Sequence, residues 1–136
     1  MRHDWADQDT IRRVLEHDVW AIVGLSNDQR RPAYGVAWRL QQAGKKIVPI
    51  HLEETEVLGE KAYTSLCDVP FHVDVADMFR RSSEVGAHVD EAIDVGCKAV
   101  WLQLDVIDVE ACERAKAAGL DVVMDRCSAV ELAIHR

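Results

Sequence analysis

The chain has 136 residues, of which 49% are hydrophobic and 29% charged, and its formal net charge at pH 7 is −8. This length suits one domain with a single core, the apolar content excludes intrinsic disorder, and the negative charge argues against general binding to nucleic acid. No apolar run approaches the roughly 18 residues of a membrane helix, and residues 1–7 carry charges where a signal peptide is apolar. We therefore expect a cytoplasmic protein that binds a small anion, with no membrane or nucleic-acid partner; the sequence identifies no protein partner.

The amino-terminal residues predict a short helix followed by a buried strand. Asp9 or Thr10 suits the cap of this helix, which lies within residues 1–18 and is expected to cover one edge of a sheet. Residues 19–23, VWAIV, form a short continuous apolar run rich in β-branched side chains. Such a run is typical of a parallel strand that is covered on both faces.

A turn and a second helix follow this strand. The turn begins at Gly24, Pro32 suits the first turn of a helix, and Gly44 suits its end. The loop therefore places free N–H groups and the positive end of a helix dipole at the carboxyl end of the strand. Arg30 and Arg31 lie beside them, and we expect Arg31 to contact a ligand and Arg30 to face solvent. This arrangement favours an anionic ligand such as a phosphate.

Downstream, apolar runs alternate with helical patterns, and helices end in glycine just before a strand. This alternation implies a parallel sheet with right-handed crossovers and helices on both faces. We predict one α/β, Rossmann-like three-layer domain over residues 1–136, with a five-stranded parallel sheet and a ligand site at the carboxyl ends of its strands. The remaining predicted elements are strands at 46–52, 73–79, 99–104 and 121–124, an acidic turn at 53–56, a loop with one helical turn at 57–63, a helix capped by Ser82 or Ser83, a helix capped by Asp108, and a last helix that begins at Ser128.

Motifs for metal binding and for common catalytic mechanisms are absent from the sequence. The four cysteines are far apart and form no C-x-x-C pair, and the six histidines show no H-E-x-x-H spacing. Neither a G-x-S-x-G nucleophile elbow nor a phosphate-binding P-loop occurs. The dinucleotide fingerprint G-x-G-x-x-G is also missing, and His51 stands where an acidic residue usually binds the ribose. Binding of a nicotinamide dinucleotide is therefore kept only as an alternative.

Four blocks of sequence resemble, in the same order, the family of small single-domain coenzyme A-binding proteins. These blocks are AIVGLSNDQRRPAYGVAWRLQQAGKKIVPIHLEETEVLGEKAY, VDVADMFRRSSEV, AVWLQL and GLDVVMDRC. Members of this family are similar to the CoA-binding domain of the succinyl-CoA synthetase α subunit standing alone. The resemblance covers nearly the whole chain from Ile11 onward, and it implies a Rossmann-like fold with coenzyme A or an acyl-CoA as the cofactor.

The resemblance also implies which residues contact the ligand. Because neighbouring side chains point in different directions, we expect one of the adjacent arginines Arg80 and Arg81 to face it. His51 belongs to the same region, but family members often have asparagine and proline where this chain has residues 51–54, HLEE. The pyrophosphate is expected at Gly24, Ser26, Asn27, Arg31 and Pro32 with Tyr34 beside it, and the adenosine or its 3′-phosphate at Phe79, Arg80 and Arg81.

Three residues have two interpretations each. Gln103, near the carboxyl end of the fourth strand, either lines the pocket or occupies an exposed edge. Phe79 is either a core residue or a surface on which a base stacks. Cys127 follows a strand and precedes a helix. It is either a small buried hydrophobe or a thiol that forms a mixed disulfide with CoA under oxidation.

The functional hypothesis is non-catalytic binding of coenzyme A or an acyl-CoA by a sensor or accessory protein. So short a chain has no counterpart of the domain that carries the phosphorylated histidine of succinyl-CoA synthetase. A nicotinamide dinucleotide-binding module and a subunit of a CoA-dependent enzyme are the alternatives. A regulatory module whose nucleotide site has decayed is a further alternative, favoured by the acidic residues Glu53 and Glu54.

Overall fold

The computed structural model describes residues 4–135, so the two ends of the predicted domain, residues 1–3 and 136, lie outside the described part of the chain. Helices and strands alternate along almost all of it. The helices are α1 (Gln8–Leu15), α2 (Pro32–Gln42), α3 (Ser82–Val95), α4 (Val109–Ala117) and α5 (Ser128–Ile134), with a 3₁₀ turn at Leu66–Asp68; the strands are β1 (Val19–Val23), β2 (Lys46–Ile50), β3 (Glu56–Val57), β4 (Glu60–Lys61), β5 (Val75–Met78), β6 (Ala99–Leu102) and β7 (Asp121–Val123).

Five of these strands form one parallel sheet in the order β2-β1-β5-β6-β7. β1 pairs with β2 from Val19 opposite Lys46 to Val23 opposite Ile50, and with β5 on its other side. The winding direction therefore reverses between β1 and β5, since β2 lies on one side of β1 and the later strands on the other. In such sheets, ligands bind outside the carboxyl ends of the strands at this reversal. The predicted Rossmann-like, five-stranded parallel sheet is confirmed.

Helices cover both faces of the sheet, because successive strand side chains point to opposite faces and nearly all of them are apolar. On one face, α3 and α4 pack over a buried cluster that includes Ala76 and Met78 of β5. On the other face, α1, α2 and α5 pack around Trp20 and Trp101, whose ring centroids are 5.9 Å apart. The three predicted layers are therefore present, and the sheet lies between two separate apolar clusters.

The prediction of a loop with one helical turn at residues 57–63 is wrong. β3 and β4 form a two-stranded antiparallel hairpin there, with Glu56 opposite Lys61. The two residues between the strands, Leu58 and Gly59, both have positive φ, at 53° and 78°. A two-residue turn with positive φ matches the twist of paired strands. The sequence did not predict it, because its first position holds leucine and not the asparagine, aspartate or glycine that usually indicates such a turn.

Two predicted helix caps differ from the observed ones. Asp7, and not Asp9 or Thr10, caps α1, since its Oδ2 accepts a hydrogen bond from Thr10 N at 3.0 Å. Arg81 occupies the cap position of α3, because the hydroxyl of Ser82 is used elsewhere and accepts from Ile107 N at 2.8 Å. The cap of α4 by Asp108 is confirmed by its acceptance of a hydrogen bond from Ala111 N at 3.0 Å.

The amino-terminal helix α1 packs against β7, at one edge of the sheet, and against α5. Ile11, Val14 and Leu15 are its buried residues. Arg13 joins α1 to the edge strand β7 through two hydrogen bonds to Asp121, from Nε at 2.8 Å and from Nη2 at 2.7 Å. Within residues 4–135, no helix combines the length and the apolar character needed to cross a membrane.

Candidate functional site: a cleft at the carboxyl edge of the sheet

A cleft of about 570 Å³ lies at the carboxyl ends of β1, β5 and β6, beside the starts of α2 and α5. A volume of this size is typical of sites for small organic ligands. The position matches the one predicted from the reversal of strand order. The residues that line the cleft are Gly24, Ser26, Arg31, Pro32, Ala33, Val36, His51, Phe79, Arg80, Gln103, Leu104, Asp105, Val106 and Cys127.

Gly24 allows the carboxyl ends of β1 and β5 to approach closely. A Cβ atom at this position would stand 2.7 Å from the carbonyl oxygen of Phe79 and 3.3 Å from Cδ of Arg80. Its φ of +99° is also one that L-residues rarely adopt. Any side chain at Gly24 would therefore displace the backbone at the centre of the cleft.

The start of α2 forms one wall of the cleft and has a positive electrostatic potential. Arg31 is the N-cap residue, with an extended backbone and no side-chain cap bond, and Pro32 follows at the first helical position. The first turn contains no acidic residue, so the helix dipole is not neutralised locally. The side chain of Arg31 is 73% exposed, and its Nε lies 3.9 Å from Asp28 Oδ2. Arg30 is 91% exposed and pairs with Asp28 at 3.0 Å, so it faces solvent as predicted.

Arg80 lines the cleft beside Gly24 and has a buried donor without a partner among the described residues. Its Nη2 donates to Glu84 Oε2 at 2.9 Å, whereas its Nε is buried and makes no hydrogen bond to any residue in the described range 4–135. A buried donor without a partner costs free energy that a ligand oxygen would recover. Phe79 packs against the apolar cluster around Trp20 and also lines the cleft; stacking of a base on it stays a prediction.

Three of the predicted ligand residues lie outside the cleft lining. The backbone N–H of Asn27 donates to Glu54 Oε2, and its side-chain amide donates to the carbonyl of Glu56 at 2.8 Å, so Asn27 ties the loop to the β3–β4 hairpin. Tyr34 packs against the apolar cluster around Trp20. Arg81 is exposed at the start of α3, where its carbonyl accepts from Glu84 N at 2.8 Å. Contact between these three residues and a ligand stays a prediction.

His51 lines the cleft, and the acidic residues Glu53 and Glu54 follow it in the chain. The Nδ1 atom of His51 accepts from Glu53 N at 3.1 Å, which orients the ring. Because Glu54 accepts from the backbone of Asn27, its carboxylate is engaged in holding the loop. The acidic turn therefore has a structural function that the sequence alone does not show.

The structure reveals a buried polar network beneath the cleft that sequence reasoning missed. Asp77 is fully buried in β5. Its Oδ1 accepts from Gln103 Nε2 at 2.5 Å and its Oδ2 from Ser128 Oγ at 2.7 Å. Burial raises the pKa of Asp77 to about 7, although the two hydrogen bonds act in the opposite direction. A lone aspartate within the apolar run of residues 75–78, VADM, was the available sequence signal.

Gln103 lines the cleft and is 5% exposed, which excludes the exposed-edge interpretation. Cys127 also lines the cleft, as the N-cap residue of α5, so its mixed disulfide with CoA stays a prediction. The loop after β6, residues 104–106, completes the lining and was not predicted. No group of three or more His, Cys, Asp or Glu side chains within residues 4–135 is arranged to hold a metal ion.

The fold and the cleft define a doubly wound α/β domain with a cleft at its topological switch point. Residues 18–133 match the model of the CoA binding domain, and the chain belongs to this family. The predicted family is thereby confirmed.

Relatives of similar size share the whole domain. The chain is 32% identical over 116 residues to the uncharacterized protein YneT of Bacillus subtilis, covering 85% of this chain and 86% of that protein. A hypothetical protein from Pyrococcus horikoshii OT3 has 32% identity and a TM-score of 0.90, with 98% of both chains covered.

A larger relative is an enzyme subunit. The alpha subunit of an ADP-forming acetate–CoA ligase II from Pyrococcus furiosus is 35% identical over 81 residues, which is 59% of this chain. The match covers only 18% of that subunit, so the likeness concerns one part of a much longer protein.

Proposed function

We propose that the cleft binds coenzyme A or an acyl-CoA and that the protein acts without catalysis, as a sensor or accessory protein. The observation that carries this proposal is the start of α2, which lines the cleft with no side-chain cap and no acidic residue in its first turn. Such a helix start stabilises a phosphate through its N–H groups and its dipole. Membership of the CoA binding domain family makes coenzyme A the first candidate for the phosphate-bearing ligand.

The described residues fit the phosphates of this ligand. Gly24 lets the carboxyl ends of β1 and β5 approach closely in the lining, Arg80 has a buried Nε without a partner among the described residues, and Arg31 stands at the helix start. A charge-assisted hydrogen bond contributes about 1.5–3 kcal/mol, and micromolar affinity corresponds to about 8 kcal/mol. The two arginines and the helix start together supply much of this free energy.

A subunit of a CoA-dependent enzyme is the second candidate. The similarity to the alpha subunit of an acetate–CoA ligase favours it. In that case this chain would supply the CoA site, and a partner chain would supply the reacting groups.

The first experiment is thermal unfolding of the protein with CoA, 3′-dephospho-CoA, acetyl-CoA, NAD or buffer alone. A ligand at a hundred times its dissociation constant stabilises the fold by about 2.7 kcal/mol, which raises Tm by several degrees. We expect a shift with CoA and acetyl-CoA, a smaller one with 3′-dephospho-CoA, and none with NAD. A shift with NAD alone would favour the dinucleotide alternative, and no shift with CoA or acetyl-CoA would overturn the proposal.

Variants at the cleft separate specific binding from general charge effects. Arg80→Gln and Arg31→Gln each remove one positive charge from the lining, and each should reduce the CoA-dependent rise in Tm. Arg12→Gln is the matched control, because it makes the same change of charge on α1, outside the lining. An equal reduction in all three variants would indicate nonspecific electrostatic binding.

A further inference from the structure

Gln103 is held in one orientation by a network that joins β5, β6 and α5. Its Nε2 donates to Asp77 Oδ1 at 2.5 Å and to Ser128 Oγ at 2.7 Å, and Ser128 Oγ donates to Asp77 Oδ2 at 2.7 Å. The carboxylate of Asp77 accepts both hydrogen bonds directed at it, which requires the amide nitrogen of Gln103 on its side. All three side chains are at least 95% buried.

The opposite atom of the amide is available to a ligand. Gln103 lines the cleft, and its Oε1 accepts no hydrogen bond from the described residues. With Asp77 ionised, the cleft therefore presents a hydrogen-bond acceptor at this point. A protonated Asp77 would instead donate to the amide oxygen, and the amide would turn so that its two N–H donors face the cleft. The polarity of the site depends on one proton.

We propose that Gln103 determines whether the cleft prefers the free thiol of coenzyme A or the thioester of an acyl-CoA, and that the protonation state of Asp77 sets this preference. Gln103 is the residue that contacts the ligand, and Asp77 is a positioning residue. The ionised form presents Oε1 to the S–H of free coenzyme A, and the protonated form presents N–H groups to the carbonyl oxygen of an acyl thioester. This inference rests on the proposed function, with the phosphates bound at the start of α2 and the sulfur end of the ligand at Gln103.

The surroundings of Asp77 support a proton exchange near neutral pH. Burial raises its pKa to about 7, so both forms are populated there. β1 and β6, on either side of β5, contain no titratable residue. Asp77 lies on the sheet face covered by α1, α2 and α5. The titratable and charged groups of these helices and their adjoining caps are Asp7, Asp9, Arg12, Arg13 and Glu16 of α1, Arg31, Tyr34 and Arg39 of α2, and Cys127, Glu131 and His135 of α5; those elsewhere on the cleft are His51, Arg80 and Asp105.

The test is the ratio of the dissociation constants of CoA and acetyl-CoA, measured by calorimetry between pH 5.5 and 8.5. Titration of the 3′-phosphate, which both ligands carry, affects both dissociation constants equally and cancels in the ratio. We expect the preference for acetyl-CoA over CoA to fall by roughly tenfold as the pH rises through neutrality, since one hydrogen bond is exchanged. A constant ratio with both ligands bound would overturn this inference and leave the proposed function intact, whereas binding of neither ligand would overturn both.

Three variants complete the test. In Asp77→Asn, the new amide donates to Gln103 Oε1 at every pH, so the wild-type preference at low pH should persist up to pH 8.5. Gln103→Met presents neither the amide donor nor the amide acceptor, so it should make the ratio independent of pH. This variant keeps the inference testable if Asp77→Asn fails to fold. Asp94→Asn removes an exposed carboxyl on α3, outside the lining, and should keep the wild-type profile. A wild-type pH profile in Asp77→Asn or Gln103→Met would contradict the inference.

Discussion

At the scale of single residues, two buried carboxyl groups have opposite electrostatic surroundings. Glu131 lies 3.9 Å from Nε of Arg126, so a cationic side chain is close to it. Asp77 has only the neutral partners Gln103 and Ser128. Hydrogen bonds from neutral groups stabilise a buried carboxylate less than a nearby cation does. Burial therefore outweighs them at Asp77 and raises its pKa.

Replacement of Asp77 by Asn should change how stability depends on pH. In the wild type, the pKa of Asp77 rises from 3.8 to about 7 on folding, so its contribution is complete below about pH 4 and is lost as the pH rises through 7. The stability of Asp77→Asn relative to the wild type should therefore increase by up to about 1.4 kcal/mol per pH unit in this range. Urea unfolding at pH 5, 6, 7 and 8 measures it.

The exposed carboxyl of Asp94 provides the control for this measurement. Asp94→Asn makes the same chemical change at the surface of α3, and its difference from the wild type should vary little between pH 5 and 8. The assignment of the raised pKa to Asp77 would be wrong if both variants followed the wild-type pH dependence.

At the scale of elements, the cleft depends on how closely β1 and β5 approach. The two strands are paired up to Val23 opposite Met78, and the chains then continue into Gly24 and Phe79. Without a side chain at Gly24, the carbonyl of Phe79 and the stem of Arg80 lie directly against the β1 backbone. The same contact holds Arg80, whose Nε is buried, in the lining of the cleft.

Gly24→Ala should weaken both the fold and ligand binding. The added Cβ would meet the Phe79 carbonyl oxygen at 2.7 Å, at a φ of +99°, and overpacking of this kind costs about 1–3 kcal/mol. Gly35→Ala is the matched control, because nothing lies within 4 Å of its added Cβ and alanine stabilises a helix by about 0.5–1 kcal/mol relative to glycine. The free energy of unfolding in urea and the CoA-dependent shift in Tm should both decrease for Gly24→Ala and not for Gly35→Ala. Equal effects in both variants would contradict the argument that β1 and β5 approach closely at Gly24.

At the scale of the whole molecule, the family match over residues 18–133 begins after α1. This helix nevertheless belongs to the hydrophobic core, since Ile11 and Val14 are fully buried in the cluster around Trp20 and Trp101. The ion pair between Arg13 and Asp121 joins α1 to the edge strand β7. The folded unit therefore includes residues outside the matched region.

Ile11→Ala should destabilise the molecule by about 2–5 kcal/mol, because it leaves a cavity in a closed core. The free energy of unfolding in urea measures this loss. Arg12→Ala, at the neighbouring exposed position of α1, should remain within about 0.5 kcal/mol of the wild type. A small effect of Ile11→Ala would show that α1 is not integral to the core.

Several helix ends, including the one at the cleft, were predictable because their signals are local. The helix start at Pro32 and the cap at Asp108 follow from the chemistry of one residue and its neighbours along the chain. The helix caps at Asp7 and Arg81 were not predicted, since several adjacent polar residues compete for such a position and tertiary contacts decide among them. The Ser82 hydroxyl, for example, binds the backbone of Ile107, 25 residues further along the chain.

By itself, the sequence determined the type and order of the main helices and strands, the parallel sheet and the family. Hydrophobic periodicity and glycine or proline punctuation act over a few residues, and the alternation of strands with helices leaves few possible topologies. Only the tertiary structure decided which polar side chains meet beneath the cleft. Asp77 is 26 residues from Gln103 and 51 from Ser128 along the chain, and their contact arises because β5, β6 and the start of α5 converge at the carboxyl edge of the sheet.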